Sequence, residues 1–466
     1  MSESRWDVIV IGGGVVGCAV TRRFALAGAK TLLLERGRDI LSGASKANSA
    51  ILHTGFDAPP GSLEVACMQA GYKEYMDIHA GLNLPVLKTA ALVVAWTEEQ
   101  LAQLDEIVSK AHKNGVDDAR QISRRDLLSR EVGLSTTALG AVEVPREYVI
   151  DPWSAPLAYL KQAVRVGAGY QFGTEVKSGT FDGEYWHLDT GQQRFSGRLV
   201  INCTGTHGDN IEQICREPGF EIRPRKGQFL VYDKSASALI SSIILPVPTA
   251  TTKGVVLTKT IFGNLLLGPT AEEQQDRNVA TVEHEMLDDL IATGTEMLPG
   301  LAGHSVTATY AGLRPATQFK DYQISAEPGK NWIGVNGIRS TGLTAALGIA
   351  AHVERLCGET YSDFANFGPA PAAEWPVMPV LAEHEKRAYQ QGDGTEIVCH
   401  CERVTRGEIE AALDDNDVPA RSLGGLRRRT RVMMGRCNGF FCSARVAELT
   451  QGKISPPLAG HEKDQS

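Results

Sequence analysis

Three features that mark other classes of protein are missing from this 466-residue chain. No apolar run approaches the roughly 18 residues that a membrane-spanning helix needs. Positive charge is not in excess: 47 Lys and Arg oppose 55 Asp and Glu, a net charge of −8, so we expect no nucleic-acid partner. The start of the chain lacks the basic segment, apolar stretch and cleavage site of an export signal. The sequence therefore predicts a cytoplasmic protein, peripheral on the inner membrane only through a partner.

The composition is that of a globular protein with more than one domain. Hydrophobic residues make up 42% of the chain and charged residues 22%, which are ordinary globular values. The length favours two or three domains. The 48 glycines concentrate at turns between strands and helices, which favours a sheet-based fold around a large ligand.

A βαβ unit opens the chain. A β-branched run over 7–11 predicts a strand, the spacing over 15–27 predicts a helix, and 31–34 predicts a second buried strand. This is the context that a dinucleotide fingerprint requires.

The fingerprint itself is G-x-G-x-x-G at Gly12, Gly14 and Gly17, with Glu35 placed 18 residues after the last glycine. The glycines permit a tight turn and let backbone N–H groups approach a pyrophosphate. A carboxylate at Glu35 accepts hydrogen bonds from ribose hydroxyls and disfavours the 2′-phosphate of NADP. The alternative is a glycine-rich turn that only packs, and the fingerprint alone does not separate NAD from FAD.

Further along the chain the patterns are less regular. The segment 41–61 predicts a long loop, 98–112 an amphipathic helix, and Asp151 with Pro152 the start of another helix. A strand is predicted at 199–202, and the stretch 223–310 alternates apolar and polar residues like a series of strands.

Cysteine is scattered through most of the chain but crowded near its end. Cys399 and Cys401 are followed, after 35 intervening residues, by Cys437 and Cys442. In a cytoplasmic context such a cluster indicates metal ligation before disulfides. Four thiolates suit either a [2Fe–2S] cluster or zinc.

Several motifs together resemble the D-amino-acid-oxidase-type flavoprotein superfamily, most closely its branch of FAD-dependent glycerol-3-phosphate dehydrogenases and L-2-hydroxyglutarate oxidases. Besides the fingerprint, they are SKANSAILHTG at 45–55, GTEV around Val176, INCTGTHGD around Thr204, YAGLRP at 310–315 and STGLT at 340–344. The resemblance spans about residues 6–358.

The resemblance implies an extended FAD. Its pyrophosphate is expected at Gly12, Gly14 and Gly17 and its adenosine ribose at Glu35. The remaining expected contacts are the adenine at Val176, the ribityl chain and flavin at Ser45, Asn48 and Ser49, the pyrimidine side at Gly342, Leu343 and Thr344, and further cofactor contacts at Arg36, Thr204 and Gly205.

The expected fold class is α/β, with a Rossmann-like FAD-binding domain interleaved with a mixed-sheet substrate domain and a small, mostly helical iron–sulfur domain at the C-terminus. The expected boundaries are FAD-binding parts at 1–80, 145–215 and 310–362, substrate-binding parts at 81–144 and 216–309, a linker at 363–396, the iron–sulfur domain at 397–456 and a tail at 457–466.

Two residues are candidates for catalysis. A neutral imidazole at His53, after the loop expected to pass the flavin, could take the hydroxyl proton of an alcohol while hydride leaves for the flavin. The alternative is a histidine that only hydrogen-bonds flavin or backbone. The resemblance places Arg314 in the substrate pocket, where its guanidinium fork would hold the substrate's anion; the alternative is an arginine that braces a loop. Lys226 is a weaker candidate for the same pocket, and His207 and His352 are interpreted as structural.

One departure from the family pattern leaves the substrate open. The glycerol-3-phosphate branch commonly continues near its C-terminal flavin segment with a GGKxxTYR-like pattern, whereas this chain has STGLTAA at 340–346. Glycerol 3-phosphate stays the leading candidate, followed by L-2-hydroxyglutarate or another 2-hydroxy acid and then by an amino-acid or opine substrate.

The C-terminal flanking patterns, VCHCERVTRGEI and RCNGFFC, resemble the bacterioferritin-associated-ferredoxin-like [2Fe–2S] module over about 397–450. Thr405 and Glu408 form a predicted capping box, and another helix is predicted after Cys442. His400 is expected to point outward. The arginine run 427–431 is a solvated face, a tuning element for the cluster or a partner-docking surface. Zinc remains the alternative metal.

Together these features predict a dehydrogenase that takes a hydride from a small anionic hydroxy substrate and passes electrons singly through a cluster. The acceptor is expected to be a protein, or quinone reached through a membrane-anchoring subunit. The alternatives are a zinc-stabilised flavin oxidase and a non-catalytic electron-transfer subunit.

Overall fold

The computed structural model describes residues 5–248, 254–364, 367–392 and 396–459, so the last part of the predicted tail, 460–466, lies outside the described residues. The described strands are β1 Arg5–Ile11, β2 Thr31–Leu34, β3 Ile51–Leu52, β4 Val86–Lys88, β5 Ala91–Ala95, β6 Arg120–Ser123, β7 Gly140–Val144, β8 Tyr148–Ile150, β9 Gly169–Gln171, β10 Ser178–Phe181, β11 Trp186–Asp189, β12 Arg194–Asn202, β13 Arg223–Tyr232, β14 Ile243–Pro246, β15 Val256–Lys259, β16 Leu265–Gly268, β17 Glu272–Glu273, β18 Val306–Ala316, β19 Gln323–Glu327, β20 Trp332–Asn336, β21 Ile397–Cys399 and β22 Val404–Thr405.

The α-helices in these ranges are α1 Val15–Leu26, α2 Leu63–Ile78, α3 Glu98–Leu101, α4 Leu104–Lys113, α5 Arg124–Arg130, α6 Ser154–Arg165, α7 Gly208–Glu212, α8 His284–Met297, α9 Gly342–Thr360, α10 Arg406–Leu413, α11 Leu423–Thr430 and α12 Ser443–Thr450. In the described part of the chain, no helix combines the length and the apolar character needed to cross a membrane.

The first large sheet carries the N-terminal βαβ unit. Its strands run in the order β10-β11-β12-β1-β2-β9, with β20 paired to β12 and β19 to β20. β1 lies parallel to both β2 and β12. Val8, Ile9 and Val10 have no exposed surface, because a parallel strand covered on both faces is apolar on both faces. Helices α1, α6 and α9 pack together beside this sheet, and α2 packs on α9.

The second large sheet is mixed. Its order is β17-β13-β16-β15-β14-β5-β7-β6, with β18 paired to β13. The long antiparallel pair β13–β18 sets Arg225 opposite Arg314 and Gly227 opposite Gly312. The strand that carries Arg314 therefore belongs to this sheet, although the sequence assigned residues from 310 onward to the FAD-binding part.

Three local expectations need correction. The predicted helix over 98–112 is broken into α3 and α4. The helix expected to begin at Pro152 begins at Ser154, although the Asp151 carboxylate does accept hydrogen bonds from the N–H groups of Trp153 and Ser154, both 2.9 Å. The stretch expected to be all strands contains α8 over 284–297.

The C-terminal unit is a small hairpin, β21–β22, packed with α10, α11 and α12 around its own apolar core. Its predicted capping box is confirmed: Thr405 Oγ1 accepts from the N–H of Glu408, and the Glu408 carboxylate accepts from the N–H of Thr405. The helix predicted after Cys442 is α12.

The arginine run at the end of α11 is not a solvated face. Arg429 is 7% exposed and forms a bidentate ion pair with the buried carboxylate of Asp39, both N–O distances 2.8 Å. Arg428 donates to the carbonyl oxygen of Ile40 at 2.9 Å. Lys161 of α6 also pairs with Asp415, at 2.6 Å. These contacts hold the C-terminal unit against the first sheet.

Candidate functional site

The turn between β1 and α1 has the shape of a phosphate-binding loop. Gly12 has a φ of +107°, and a Cβ there would lie 2.6 Å from the carbonyl oxygen of Cys203. A Cβ on Gly17 would lie 1.8 Å from the carbonyl oxygen of Gly12. Gly14 is the N-cap of α1 and has no side chain with which to cap the helix. The positive end of α1 therefore begins in a loop without side chains, which suits a pyrophosphate.

Glu35 lies at the end of β2 beside this loop. One carboxylate oxygen accepts from the N–H of Gly13 and the other from the N–H of Gly37, each at 2.6 Å. Burial raises the pKa of Glu35, and the two N–H groups oppose that effect. The structure thus holds the Glu35 carboxylate against the glycine turn, and its contact with a ribose stays a prediction.

The segment predicted to pass the flavin joins the two sheets. Ser45 Oγ accepts from the N–H of Val15 at 3.1 Å, at the start of α1. The backbone carbonyl of Asn48 accepts from the hydroxyl of Tyr310 on β18 at 2.8 Å. Ser49 is half-buried in the same segment. A cofactor bound along this segment would therefore lie between the first sheet and β18.

The other predicted cofactor residues lie around the same sheet edge. Thr204 follows β12 and donates to Asn202 Oδ1 at 2.7 Å, and Gly205 has a φ of +58°. The Val176 side chain is buried in the core, so its backbone is the part left to face a ligand. Arg36 is exposed and donates to Asn278 at 3.0 Å.

Gly342, Leu343 and Thr344 form the first turn of α9. Thr344 Oγ1 accepts from the backbone N–H of His53 at 3.0 Å and donates to the carbonyl oxygen of Ile51 at 3.3 Å. The N-terminus of α9 is therefore fastened to the segment that carries the candidate base.

His53 has a partner that the sequence did not reveal. Its Nδ1 lies 2.7 Å from Oε2 of Glu147, a carboxylate with no exposed surface. Glu147 Oε1 accepts from both the N–H of Thr54, at 2.6 Å, and its hydroxyl, at 2.7 Å. A carboxylate at Nδ1 favours the tautomer with the proton on Nδ1. In that tautomer Nε2 carries the lone pair, which is the form that a general base requires.

Arg314 lies on β18 over Gly227, where a Cβ would be 2.6 Å from Nη2. Its guanidinium donates only long bonds, to the carbonyl oxygens of Lys226 at 3.4 Å and Thr270 at 3.3 Å, and no carboxylate among the described residues pairs with it. Burial, with the nearby Arg225 and Arg339, lowers the pKa of Arg314 to about 10. A half-buried guanidinium without a carboxylate partner is well suited to bind an anion.

Lys226, the weaker candidate, does not share this character. Its ammonium contacts Glu272 at 3.1 Å and also Glu283. Two carboxylates already neutralise it, so Lys226 is interpreted as a structural cation beneath the Arg314 site.

The four C-terminal cysteines are free thiols gathered at one end of the small unit. The Cys401 and Cys437 side chains contact each other, as do those of Cys399 and Cys442. Over the described ranges, no three His, Cys, Asp or Glu side chains surround a single metal position. Two pairs of thiols fit a cluster of two irons better than a single zinc ion.

Backbone N–H groups support this thiol set. The N–H groups of Phe441, Gly439 and Phe440 point at Cys437 and lower the pKa of its thiol. Cys399 and Cys442 are buried, whereas Cys401 and Cys437 are partly exposed. One edge of the thiol set therefore faces outward, and the residues present fit a [2Fe–2S] cluster.

A series of packed side chains connects the residue after Cys401 with the segment around Lys46 that is predicted to pass the flavin, called the flavin segment below. Trp153 donates to the carbonyl oxygen of Lys46 at 3.1 Å, and its ring stacks on Phe262 with centroids 5.3 Å apart. The Arg431 guanidinium lies 4.1 Å from the Phe262 ring and pairs with Glu402 at 2.8 Å. Glu402 follows Cys401 directly, so the two candidate cofactor sites are joined by packed side chains.

A cavity of about 740 Å³ runs along α2 and includes Thr54 and Arg146 in its lining. Neither His53 nor Arg314 lines it. The cavity and the candidate site are therefore in different places, and His53 and Arg314 mark the candidate site because they are the groups suited to accept a proton and to hold an anion.

Comparison with known proteins identifies both parts of the chain. Residues 7–356 match the family model described as FAD dependent oxidoreductase, and residues 397–451 match the model of the BFD-like [2Fe-2S] binding domain. The resemblance to the flavoprotein superfamily and to the iron–sulfur module is thereby confirmed.

Two curated relatives match over nearly the whole chain. A glycerol 3-phosphate dehydrogenase of Caloramator mitchellensis is 31% identical, over 98% of this chain and 96% of the relative. One subunit of the anaerobic glycerol-3-phosphate dehydrogenase of Haemophilus influenzae is 26% identical, over 96% of this chain and 85% of the relative.

The fold is similar to that of the L-alpha-glycerophosphate oxidase from Mycoplasma pneumoniae with FAD bound, with a TM-score of 0.72 and 24% identity over 76% of this chain and 95% of that one. The predicted α/β fold class is confirmed, with FAD and a [2Fe–2S] cluster as the cofactors. The chain belongs to the FAD dependent oxidoreductase family and carries a BFD-like [2Fe-2S] binding domain at its C-terminal end.

Proposed function

We propose that this protein oxidises the secondary hydroxyl of glycerol 3-phosphate and passes the electrons through its [2Fe–2S] cluster to a downstream acceptor. The observation that carries the proposal is an imidazole held by a buried carboxylate together with a half-buried arginine that has no carboxylate partner in the described structure. The hydrogen bond between Tyr310 and Asn48 joins the strand of Arg314 to the segment that leads to His53.

His53 serves as the base. With the Nδ1 proton directed at Glu147, Nε2 accepts the hydroxyl proton as the carbon–hydrogen bond breaks. FAD, when bound, supplies a two-electron hydride acceptor. Thr54 holds the carboxylate of Glu147, and Thr344 holds the backbone N–H of His53. The imidazole ring therefore has little freedom to turn away.

Arg314 serves as the anchor for the substrate's anion. A guanidinium presents a planar fork that matches phosphate or carboxylate oxygens. Since Arg225 and Arg339 lie close enough to lower its pKa, a dianionic phosphate gains more from this pocket than a single carboxylate does. This favours glycerol 3-phosphate over 2-hydroxy acids, and the similarity to the dehydrogenase of Caloramator mitchellensis supports the same choice.

The cluster is the exit for electrons. A flavin takes two electrons from the substrate, whereas a [2Fe–2S] cluster passes one at a time. Phe440 and Phe441, between two of the cysteines, are 80% and 77% exposed. An exposed aromatic pair beside the accessible edge of the thiol set suits contact with a partner protein. We infer a multi-subunit complex, because the relative from Haemophilus influenzae is itself named as one subunit of a dehydrogenase, with quinone and a membrane-anchoring subunit on the acceptor side.

An anaerobic substrate panel tests the proposal. We expect glycerol 3-phosphate to bleach the flavin absorbance without any partner present, and L-2-hydroxyglutarate and uncharged glycerol to bleach it at least tenfold more slowly. Bleaching by L-2-hydroxyglutarate at the higher rate would reassign the substrate to the 2-hydroxy acids. No bleaching by any hydroxy compound, with FAD and iron both bound, would assign the chain to a non-catalytic electron-transfer subunit.

A further inference from the structure

Helix α11 of the C-terminal unit reaches into the FAD-binding half of the molecule. Its contact is with the loop 37–42, which begins two residues after Glu35. Arg429 forms its bidentate pair with Asp39 on this loop, and both side chains are buried, at 7% and 1% exposure. The N–H of Arg421, before α11, also points at the Asp39 carboxylate, at 3.4 Å.

Helix α11 packs closely against the loop at Gly425. A Cβ on Gly425 would lie 1.8 Å from the Asp39 carboxylate oxygen. Glycine at 425 is therefore required for α11 to approach the loop, and a methyl group there would push Asp39 away without removing any charge.

The same loop is hydrogen-bonded to the fingerprint. The N–H of Leu41 donates to the carbonyl oxygen of Gly13 at 2.9 Å. The N–H groups of Gly13 and Gly37 hold the two oxygens of Glu35. A displacement of Asp39 is thus transmitted over two residues to Gly37 and Leu41, and from them to Glu35 and the phosphate-binding turn.

A second arginine of α11 adds charge on the same side. Arg428 donates to the carbonyl oxygen of Ile40, between Asp39 and Leu41. Burial, with a smaller contribution from nearby Arg428, lowers the pKa of Lys46 on the flavin segment. One cation on the flavin segment and one beside it therefore lie where an anionic cofactor would extend, and a phosphate bound nearby would stabilise both.

We propose that the iron–sulfur domain is a structural part of the FAD site: α11 clamps the loop 37–42 through Arg429, Asp39 and Gly425, and thereby sets the affinity for FAD. The two cofactor domains are then thermodynamically linked, because whatever stabilises one side of the clamp stabilises the other. This inference does not depend on the identity of the substrate.

The test is the dissociation constant for FAD, measured by titrating deflavinated protein and following flavin fluorescence. We expect Arg429→Ala and Gly425→Ala each to raise the dissociation constant at least tenfold, since removing one partner of a buried ion pair or displacing the other disorders the loop. Lys161→Met is the matched control, because it removes another ion pair between the same two domains without touching the loop. It should change the constant less than twofold.

Amide hydrogen exchange tests the contact between α11 and the loop 37–42 directly. On FAD addition, amide hydrogen exchange in α11 should slow in the wild type and in Lys161→Met, but not in Gly425→Ala. Should Arg429→Ala fail to fold, Arg429→Lys restores one of the two bonds and should bind FAD between the wild type and Gly425→Ala. Wild-type affinity in both clamp variants, or equal weakening in Lys161→Met, would overturn the proposal. None of these readouts requires substrate, so they stand apart from the proposed function.

Discussion

The replacement Glu147→Gln isolates the role of the buried carboxylate behind His53. Glutamine has nearly the same shape, and its carbonyl oxygen can keep both hydrogen bonds from Thr54. Its NH₂ group then faces His53 Nδ1 at the position of the present 2.7 Å contact. Because that group donates, the imidazole must turn its lone pair to Nδ1 and its proton to Nε2, the wrong tautomer for a base.

The size of the effect follows from the lost base. General acid–base catalysis contributes about 10²–10⁴-fold, which corresponds to about 2.7–5.4 kcal/mol of barrier at 1.36 kcal/mol per tenfold. We expect the rate of flavin reduction by glycerol 3-phosphate to fall within that range, with FAD content and substrate affinity unchanged. The affinity for substrate should stay unchanged because Arg314, on β18, holds the substrate's anion.

The assay is anaerobic stopped-flow absorbance with varied substrate, which separates the limiting rate from the apparent dissociation constant. Glu143→Gln is the matched control: Glu143 is buried on the neighbouring strand β7 but pairs with Arg120 and Arg130. It should keep the wild-type rate. A Glu147→Gln protein that reduces its flavin as fast as the wild type would refute the assignment of His53 and Glu147.

Three further changes test other parts of the site. Arg314→Lys should bind substrate progressively more weakly above about pH 8, unlike the wild type. The surroundings that lower the pKa of the arginine to about 10 should lower the pKa of a lysine from about 10.4 by a similar amount, so the lysine loses its charge as pH rises. Substrate affinity measured across pH 7–9.5, with exposed Arg223→Ala as control, checks this. Cys437→Ser should remove the electron paramagnetic resonance signal of the reduced cluster while substrate still bleaches the flavin. Phe262→Leu should slow electron transfer from flavin to cluster several-fold, with Phe262→Tyr restoring it, as measured by freeze-quench spectroscopy.

The sequence predicted the parts of the fold that local patterns determine. The strands 7–11 and 31–34 and the helix from Val15 appear within one or two residues of their expected bounds, because β-branched runs and glycine turns act over a few residues. Helix α8 was missed, since only Leu290, Gly294 and Met297 of its residues are buried and its Gly and Thr content weakens the helical signal.

The site could be predicted only where a motif carries it. The glycine turn, His53, Arg314 and the four cysteines are all recognisable in sequence. Glu147 was missed because it lies 94 residues from His53, and no spacing rule connects residues that follow β3 and precede β8. The arginine run was noticed, yet its partner Asp39 lies 390 residues away, so only the folded chain shows that the charge is used internally.

The central claim is that one chain accepts an electron pair and releases it singly. The most direct measurement adds one equivalent of glycerol 3-phosphate to the anaerobic holoprotein, without partner or external acceptor, and records the electron paramagnetic resonance spectrum. We predict a reduced [2Fe–2S] signal that appears together with loss of oxidised flavin absorbance. A fully bleached flavin beside a cluster that stays oxidised, although dithionite can reduce it, would contradict the claim.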